Sequence, residues 1–600
     1  MANTYYSRKN IDFWLYDVHN AEALTELPNF VDHSKETFDM TLDSAAHIGD
    51  NNMFPYFTEM DRNQPELVNG EVTVHPKIKD FLKAAGEAGL IGADFSYDDG
   101  GAQIPSVIQG MVGHIFMSAN NGMAYTGLTS GAARLIAAFG NDKLKETYVG
   151  KMLNGQWQGT MCLTEPQAGS SLSDITATAT RTNEGHFLLK GQKIFISAGD
   201  HPACDNIVHL LIARIEGAPA GTKGISLFVV PKILENGTKN DVSNMGIYHK
   251  LGQRAVPAMH LGFGDNNACV AYLLGEENKG LSYMFQMMNE ARIGVGLTGA
   301  SIACGAYHAA LEYAKERPQS RRLNNKAALD NPQIPIIQHP DVRRMLLFQK
   351  AAVEGSMSLL TEVGIYQDKA HAMEDPAEKS KYFQLLELLT PVAKTYPCES
   401  GVQVCSNAVQ VFGGYGFTED FPVEQYYRDI RITPIYEGTT GIQSLDLLGR
   451  KVLMGKGAAI KLLYNEIFDT IGLATNVEGL ADYAGELKCE LADLQLVTKH
   501  LAGVAQGGDV ELFLSDANLY MEQFSLVVIG WQWLKMGLAA KQKMLVTSAD
   551  DSDAMAFLES KIQTMKYFFH YELPKTMALS KRLMDSEVIT VLKDTDLTFA

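Results

Sequence analysis

The hydrophobic pattern of this 600-residue chain changes twice, and these changes limit the folds open to it. Residues 1–155 carry apolar side chains mainly at helical spacing, as in the segment 78–85. Strand-like alternation dominates residues 156–280, for example in the segment ITATAT at 175–180. The helical pattern then returns and dominates the rest of the sequence. This order of helices, strands and helices predicts an α+β multidomain protein rather than a parallel α/β sheet.

We expect four domains, because 600 residues exceed what one hydrophobic core usually serves. They are an N-terminal helical domain with an extension (1–155), a middle antiparallel β-domain (156–280), a helical bundle (281–455) and an extra C-terminal helical domain (456–600). Turn-forming segments between the short strands favour antiparallel pairing in the middle domain. The apolar stretch around 524–538 suits a buried core helix better than a membrane-facing one.

The net charge, the cysteine spacing and the apolar runs exclude several classes of protein function. The net charge of −19 argues against broad nucleic-acid binding, which depends on cationic side chains. The seven cysteines include no C-x-x-C pair, and no H-E-x-x-H occurs, so we expect neither a disulfide framework nor a metal site. The first residues contain no apolar signal segment, and no apolar run is long enough to span a bilayer. These features predict a cytoplasmic protein without an integral membrane segment.

One acidic residue stands at a junction that suits catalysis. Glu437 lies between Tyr436 and Gly438, where an extended run is followed by a helical pattern that includes Ile442. A carboxylate at such a junction can act as a general base, because the neighbouring glycine lets a substrate approach the backbone closely. An acidic residue can also cap the helix that follows, and for this motif alone the cap is the better interpretation.

Three further segments have both a functional and a structural interpretation. The loop at 163–171 (LTEPQAGSS) can present N–H groups and hydroxyls to a polar ring edge or a phosphate, or form an ordinary surface turn. The glycines of 412–417 (FGGYGF) can bring the backbone close to a cofactor or simply end a helix. Arg317 can bind a phosphate, although a solvated helix end explains an isolated arginine before a proline better.

The glycines Gly294, Gly296 and Gly299 match the G-x-G-x-x-G dinucleotide fingerprint by letter only. That motif must follow a β-strand, and here residues 287–292 have a helical pattern. Small residues continue as far as Ala306. We therefore interpret these glycines as the contact face of a closely packed helix.

Four motifs together resemble the acyl-CoA dehydrogenase family, in their order and in their separations. They are LTEPQAGSS (163–171), KIFISAG (193–199), AVQVFGGYGFTEDFPVEQYYRD (408–429) and IYEGTTGIQ (435–443). The resemblance covers roughly residues 40–455 and implies the same order of helical, β and helical domains. The chain length and the extensions at both ends are most similar to the 3-methylmercaptopropionyl-CoA dehydrogenase branch.

The resemblance implies FAD-dependent α,β-dehydrogenation of an acyl-CoA thioester to the trans-2-enoyl-CoA, with a fatty acyl or 3-methylmercaptopropionyl chain. Glu437 would be the proton-abstracting base, and its own backbone N–H would help to stabilise the enolate-like oxygen. Some branches carry the base on another helix, at the position of Ala291 here, which has no acid. The adjacent Glu290 points about 100° away around a helix. The resemblance also implies an electron-transferring flavoprotein as acceptor and a homodimer, or a tetramer.

The resemblance assigns residues of this chain to the cofactor and the substrate. The FAD positions are Leu163, Thr164, Gly169, Ser170, Phe195, Ser197, Arg317, Gln410, Gly414, Thr439 and Gly441. The substrate positions are Ser170, Asn289, Arg292 and Gly438. Within the FAD set, Arg317, Gln410 and Gly414 would bind the FAD of the neighbouring subunit. Phe195 stands where tryptophan is common and Ser197 where threonine is common, so the ring and the hydroxyl are kept.

Two alternative functions remain open at this point. An acyl-CoA oxidase would share the fold, FAD and the base, and would use oxygen instead of an electron-transferring flavoprotein. A flavoprotein of the alkylation-damage response would bind DNA through a basic C-terminal domain. Residues 456–600 contain 13 Lys or Arg against 20 Asp or Glu, a net charge of −7, which is the wrong sign for that role.

Overall fold

The computed structural model describes residues 4–322 and 332–591, apart from the side chains of 285–288. The described residues form two compact units. The helical unit comprises the described parts of Met1–Pro28, Val295–Glu424 and Ile432–Ala600, and the mixed unit comprises Asn29–Gly294 and Gln425–Arg431. The four domain boundaries from the sequence remain predictions, because this division follows contacts between segments rather than changes in pattern.

Helices form most of the chain before the sheet. Helix α1 (Arg8–Asp12) belongs to the helical unit. The mixed unit continues with α2 (Lys35–Ile48), α3 (Phe57–Arg62), α4 (Lys77–Glu87), α5 (Ser106–Asn120), α6 (Tyr125–Phe139), α7 (Asp142–Leu144) and α8 (Gly150–Leu153). The predicted helix over 78–85 is α4, which buries the apolar face formed by Ile78, Phe81 and Leu82.

The strands lie in the mixed unit. They are β1 (Glu66–Val68), β2 (Glu71–Thr73), β3 (Trp157–Cys162), β4 (Thr178–Arg181), β5 (Phe187–Ser197), β6 (Asn206–Ile215), β7 (Ile225–Pro231), β8 (Val242–Tyr248), β9 (Ala258–Phe263) and β10 (Cys269–Leu274). Strands β1 and β2 form a hairpin, and the other strands form one eight-stranded sheet. Its order is β10-β7-β6-β4-β5-β9-β8, with β3 beside β6 and β10 also paired with β5.

The sheet is mainly antiparallel, as predicted, with one correction. Strand β6 runs parallel to both β3 and β4. Turn signals between strands specify only how consecutive strands meet, so they carry no information about these pairings between strands that are distant in sequence. The inner face of the sheet buries Phe187, Leu211, Phe228, Met259 and Phe263, which gives this unit its apolar core.

Long helices form the remainder of the described chain. They are α9 (Gly280–Glu316), α10 (Pro340–Ala372), α11 (Pro376–Phe412), α12 (Val423–Ile430), α13 (Thr440–Asp446), α14 (Ala458–Thr475), α15 (Ala481–Gln506), α16 (Val510–Leu514), α17 (Ala517–Val546), α18 (Ser552–Tyr567) and α19 (Lys575–Leu583). The apolar stretch 524–538 lies within α17 and is almost wholly buried, which confirms the core interpretation. None of the helices in the described ranges is long and apolar enough to cross a bilayer.

The glycines that resemble a dinucleotide fingerprint lie within helix α9, which confirms their interpretation as a packing face for two of the three. A Cβ atom on Gly296 would lie 1.9 Å from the carbonyl oxygen of Ala393 in α11. A Cβ atom on Gly299 would lie 3.2 Å from the Cα atom of Cys398. Glycine at these positions therefore lets α9 and α11 approach closely.

Buried ion pairs join the N-terminal extension, α10 and the C-terminal helices within the helical unit. Lys561 of α18 lies 2.8 Å from the carboxylate of Glu354 in α10, and the two side chains are 0% and 2% exposed. The same lysine donates to Asn10 Oδ1 at 2.6 Å. Glu362, about two helical turns further along α10, binds Lys535 of α17 and His19 of the extension. These contacts make the extension part of the helical unit's interior.

A buried carboxyl group in the mixed unit titrates abnormally. Asp429 is 1% exposed and accepts a hydrogen bond from the backbone N–H of Gln253. Burial raises the pKa of Asp429 to about 6, and the nearby carboxylate of Asp61 acts in the same direction. The guanidinium of Arg428 opposes this shift, although it is itself bound to Asp61 at 2.7 Å.

This carboxyl group should make the protein less stable as the pH rises from 4 to 7. The pKa of Asp429 is raised in the folded state from 3.8 to about 6, so the folded chain retains a proton that the unfolded chain releases in this interval. Its stabilising contribution, complete below pH 4, is therefore lost by about pH 7, a change of about 3 kcal/mol. Urea unfolding of wild type and Asp429→Asn across this range measures the difference, because asparagine does not titrate. Asp98→Asn, at an exposed position of the same unit, is the control, and equal pH profiles for wild type and Asp429→Asn would contradict the assignment.

Candidate active site

The loop that carries Glu437 lies in the helical unit and is a series of turns. The N–H of Ile435 donates to the carbonyl of Ile432 at 2.9 Å, and the N–H of Thr440 donates to the carbonyl of Pro434 at 3.0 Å. The prediction of extended backbone here is therefore wrong, because these hydrogen bonds form turns before α13 begins at Thr440. The helix cap is Thr439, whose hydroxyl accepts from the N–H of Ile442 at 3.3 Å.

Glu437 itself stands before the cap, so the capping interpretation does not account for it. Its side chain is exposed, and its backbone has a positive φ of 54°. Gly438 follows with a φ of 91°. A glutamate in the left-handed region costs on the order of 1–3 kcal/mol, and such a conformation persists only where neighbouring structure enforces it. Strain of this kind concentrates at functional sites, so it favours a functional role for Glu437.

Polar side chains, two of them buried, hold this loop in place. The Nζ atom of Lys394 in α11, with the residue wholly buried, donates to the carbonyl of Thr433 at 2.7 Å. Glu399 accepts a short hydrogen bond from the hydroxyl of Thr440. The buried amide of Gln443 donates to the carbonyl of Glu437 at 3.3 Å. The loop is thus attached both to α11 and to its own helix on either side of the carboxylate.

A cavity of about 450 Å³ lies at the ends of α9 and α11 in the helical unit. Arg317 lines it, with its guanidinium carbon 5.6 Å from the ring centre of Tyr415. Gly413 and Gly414 also line it, and a Cβ atom on either would meet nothing within 4 Å. Within the described ranges no carboxylate forms an ion pair with Arg317. The cavity therefore offers an arginine and open glycine backbone to an anionic group.

Three predicted cofactor positions of the helical unit, Gln410, Thr439 and Gly441, lie elsewhere than this cavity wall. The side chain of Gln410 is exposed and does not line the cavity, while its carbonyl accepts the N–H of Gly413 at the end of α11. Gly441 lies in the first turn of α13, and the nearest atom to an added Cβ is the Thr439 hydroxyl oxygen at 3.8 Å. Packing within this chain therefore does not require glycine at position 441.

The predicted cofactor residues of the mixed unit lie on one loop and one strand. Leu163 and Thr164 are half-buried, whereas Gly169 and Ser170 are exposed. The loop is joined to β5 because the N–H of Ile194 donates to the carbonyl of Thr164 at 3.0 Å. An added Cβ on Gly169 would meet no atom within 4 Å, so this glycine leaves open backbone at the surface.

Phe195 is turned out of strand β5 by a β-bulge. The register between β5 and β9 shifts between Lys193 and Ile196, and Phe195 has a φ of 57°. Its ring is 58% exposed and lies 4.5 Å from the ring of Tyr248, measured between centroids. Bulges commonly re-aim a side chain beside an active site, and a strained, exposed aromatic ring suits stacking against a planar ligand. Ser197, two residues on, is half-buried.

Two predicted substrate residues of the mixed unit, Asn289 and Arg292, are one turn apart on α9. Arg292 is 4% exposed, and its Nη1 atom lies 3.5 Å from the Oδ1 atom of Asn289. Glu290, the rival for the catalytic base, lies 3.0 Å from Arg134, which also binds Asp94 at 2.8 Å. Glu290 is thus held in a cluster of charges, which argues against a role as a base.

Models of known protein families match most of this chain. Four family models match in sequence order: the acyl-CoA dehydrogenase N-terminal domain over residues 35–156, its middle domain over 160–266, its C-terminal domain over 278–453, and an acetyl-CoA dehydrogenase C-terminal-like domain over 463–591. The 3-methylmercaptopropionyl-CoA dehydrogenase of Ruegeria pomeroyi is 37% identical over 547 residues, 89% of this chain and 90% of that protein. The chain belongs to the acyl-CoA dehydrogenase family.

Other members of the acyl-CoA dehydrogenase family match over nearly the full length. A butyryl-CoA dehydrogenase of Syntrophomonas wolfei is 31% identical over 598 residues, which is 97% of each chain. The acyl-CoA dehydrogenase of Bacillus anthracis, solved with FAD, has a TM-score of 0.73 at 22% identity and covers 93% of this chain and 90% of its own. That likeness shows the fold, with its N-terminal helical, middle β and C-terminal helical domains.

Acyl-CoA dehydrogenases are FAD-dependent oxidoreductases, and the residues present fit that cofactor. The helical unit offers Arg317 beside open glycine backbone, which suits a pyrophosphate. The mixed unit offers the exposed ring of Phe195, which suits a planar ring system. The chemistry of the two sets therefore matches the pyrophosphate and the flavin ring of FAD.

The sequence did not reveal the buried polar residues that support these positions. Lys394 and Gln443 hold the loop of Glu437. Glu165, within the predicted flavin loop, and Lys193 of β5 form a buried ion pair at 2.8 Å. Both members of that pair occur inside the motifs that carry the family resemblance, but nothing in a linear sequence shows that charges 28 positions apart are buried against each other.

Proposed function

We propose that this protein oxidises an acyl-CoA thioester between C2 and C3, with FAD as cofactor and Glu437 as the proton-abstracting base. The observation that carries the proposal is the backbone of Glu437, a strained and exposed glutamate held by buried side chains at the family's base position. A helix cap does not account for that conformation, because Thr439 caps α13. A positioned base accounts for it.

Each unit carries residues proposed to contact the cofactor. Leu163, Thr164, Gly169, Ser170, Phe195 and Ser197 would contact it from the mixed unit. Arg317, Gln410, Gly414, Thr439 and Gly441 would contact it from the helical unit, the first three in the neighbouring subunit of a homodimer. Bound FAD would supply the acceptor for the hydride that leaves C3.

The residues of this chain would supply the proton chemistry. The carboxylate of Glu437 would accept the proton from C2, which is too weakly acidic in a thioester for an unassisted carboxylate. The backbone N–H of Glu437 would donate to the thioester oxygen as negative charge develops there, and such preorganised donors stabilise the transition state. Gly438 would let the thioester approach the backbone, and Ser170, Asn289 and Arg292 would contact the rest of the substrate.

The substrate would be a fatty acyl-CoA or 3-methylmercaptopropionyl-CoA, since relatives named for 3-methylmercaptopropionyl-CoA and butyryl-CoA both match most of this chain. An electron-transferring flavoprotein would then reoxidise the cofactor. The test is anaerobic titration of the purified, FAD-loaded protein with short, branched, long and methylthio acyl-CoAs. A substrate bleaches the flavin absorbance and yields the enoyl-CoA, and a protein that no acyl-CoA bleaches would contradict the proposal.

Arg317→Met should weaken FAD binding by about 10- to 100-fold. A charge-assisted hydrogen bond to a phosphate is worth about 1.5–3 kcal/mol, and methionine keeps the length of the side chain without the charge. Fluorescence titration of the apoprotein with FAD measures the dissociation constant. Lys315→Met is the matched control, since it removes a nearby positive charge that is bound to Glu312 and lies outside the cavity. Equal losses in the two variants would show that general charge, rather than Arg317, governs binding.

A further inference from the structure

A fully buried ion pair joins the loop at 163–171 to strand β5. The Nζ atom of Lys193 is 2.8 Å from the Oε1 atom of Glu165, and the side chains are 0% and 2% exposed. Removing two charges from water costs several kcal/mol each, and a well-packed apolar pair is often at least as stable. Stability alone therefore gives no reason for these two residues, and their other contacts become informative.

Each member of the pair also holds backbone. Lys193 Nζ donates to the carbonyl of Leu163 at 3.0 Å. The Glu165 carboxylate accepts from the N–H of Thr176 at 2.7 Å and from the N–H of Ala177 at 3.2 Å. Although burial opposes it, the Lys193 ammonium and the Thr176 donors hold the pKa of Glu165 below its ordinary value. The charged pair thus ties the start of the loop to β5 and to the segment that precedes β4.

The same lysine lies at the start of the β-bulge that exposes Phe195. In a regular strand, residues i and i+2 point to the same face, so Lys193 and Phe195 should share one. Here Lys193 is wholly buried and Phe195 is 58% exposed, because the bulge inserts a residue between them. The anchored ammonium therefore marks the last regular position of β5 before the strand turns the aromatic ring outwards.

We propose that Glu165 and Lys193 are positioning residues. They hold the loop of Leu163 and Thr164, and the ring of Phe195, in the positions that receive the flavin ring of FAD. This inference rests on the proposed function. Neither side chain reaches the surface, so both act through the backbone that they fix. Without Lys193, the carbonyl of Leu163 loses its donor, and the Glu165 carboxylate loses the cation that balances it.

The chain contains a matched control for the pair. Lys561 and Glu354 of the helical unit have the same separation of 2.8 Å and the same exposures of 0% and 2%. They join α18, α10 and the N-terminal extension, and none of the predicted cofactor residues contacts either of them in the described structure. Loss of that pair should lower stability to a similar degree without a specific effect on flavin.

The experiment compares FAD dissociation constants and visible circular dichroism of bound flavin for wild type, Lys193→Met, Glu165→Gln/Lys193→Met, Lys193→Arg and Lys561→Met. Each protein is studied as folded apoprotein, at a temperature well below the midpoint of its thermal unfolding. We expect the first two variants to bind FAD about tenfold or more weakly, the effect of roughly one lost hydrogen-bonded contact, with an altered flavin signal. Lys193→Arg should recover part of the affinity, and Lys561→Met should stay within about twofold of wild type.

The double variant leaves no unpaired charge, so it keeps the test decisive if Lys193→Met alone fails to fold. A folded double variant with wild-type affinity and wild-type flavin signal overturns the inference. An equal loss in Lys561→Met also overturns it, because the effect would then follow global stability. A wild-type protein that binds no FAD instead contradicts the proposed function, which separates the two failures.

Discussion

Glu437→Gln should lower the turnover of acyl-CoA by about 10²–10⁴-fold, the range expected for loss of a positioned general base. Glutamine has nearly the same size and can occupy the same backbone conformation, but its amide cannot accept the C2 proton. The variant should still purify with bound FAD, because the proposed flavin contacts are unchanged. Anaerobic bleaching of the flavin in a stopped-flow instrument isolates this half of the reaction from reoxidation by an acceptor.

Glu290→Gln is the matched control for that experiment. It makes the same chemical change on the only other acid considered for the role, and it weakens the pair with Arg134 at 3.0 Å. We expect it to retain the fast bleaching of wild type. Wild-type turnover in Glu437→Gln, or a larger loss in Glu290→Gln, would remove Glu437 from its proposed role.

Lys561→Met should destabilise the helical unit by about 3 kcal/mol, near the lower end for breaking a buried ion pair. Burial lowers the pKa of Lys561 to about 8, so the ammonium is charged at pH 7 and balances Glu354. Without it, Glu354 keeps Lys350 as a cation at 3.8 Å, inside an apolar interior. The rings of Phe13 and Phe557, whose centres lie 5.1 and 4.5 Å from the lysine Nζ atom, lose a cation contact as well.

Removal of both charges should recover most of this loss. Lys561→Met/Glu354→Leu removes both charges of the pair, and apolar replacement of a whole buried pair is often neutral. Lys350 loses its 3.8 Å contact with Glu354 but still donates to the Ser560 hydroxyl at 2.9 Å. Urea unfolding at pH 7 measures all three proteins. Arg344→Met, which breaks the exposed pair with Asp341, should leave the midpoint unchanged and serves as the control. A double variant no more stable than the single one would show that packing of the methylene groups, rather than charge balance, dominates at this site.

Local chemistry was sufficient for several predictions. The glycines at 296 and 299 were assigned to helix packing because a helical pattern precedes them, and α9 meets α11 there. The stretch within α17 was assigned to a core because it is apolar around the whole helix, and it is buried. In both cases neighbouring residues along the chain decide the outcome, so the sequence carries the information.

Local chemistry failed where distant residues competed with it. The segment 432–435 contains two β-branched isoleucines, a threonine and a proline, all of which favour extended backbone. Lys394, some 39 positions earlier, instead binds the Thr433 carbonyl and helps to hold a series of turns. The alternative interpretation of Glu437 as the helix cap is wrong for a related reason, since the hydroxyl of Thr439 accepts from the N–H of Ile442 directly.

The sequence by itself determined the order of helical and β domains, the family and the identity of the candidate base, because these depend on periodicity and on motifs of adjacent residues. Only the tertiary structure decided the parallel pairings of β6, the outward turn of Phe195 and the strained backbone of Glu437. It also revealed the buried pairs that support the predicted site, Glu165 with Lys193 and Lys394 with the Thr433 carbonyl. Burial and partnership depend on which distant segments meet in the fold, and a single sequence does not contain that information in any local pattern.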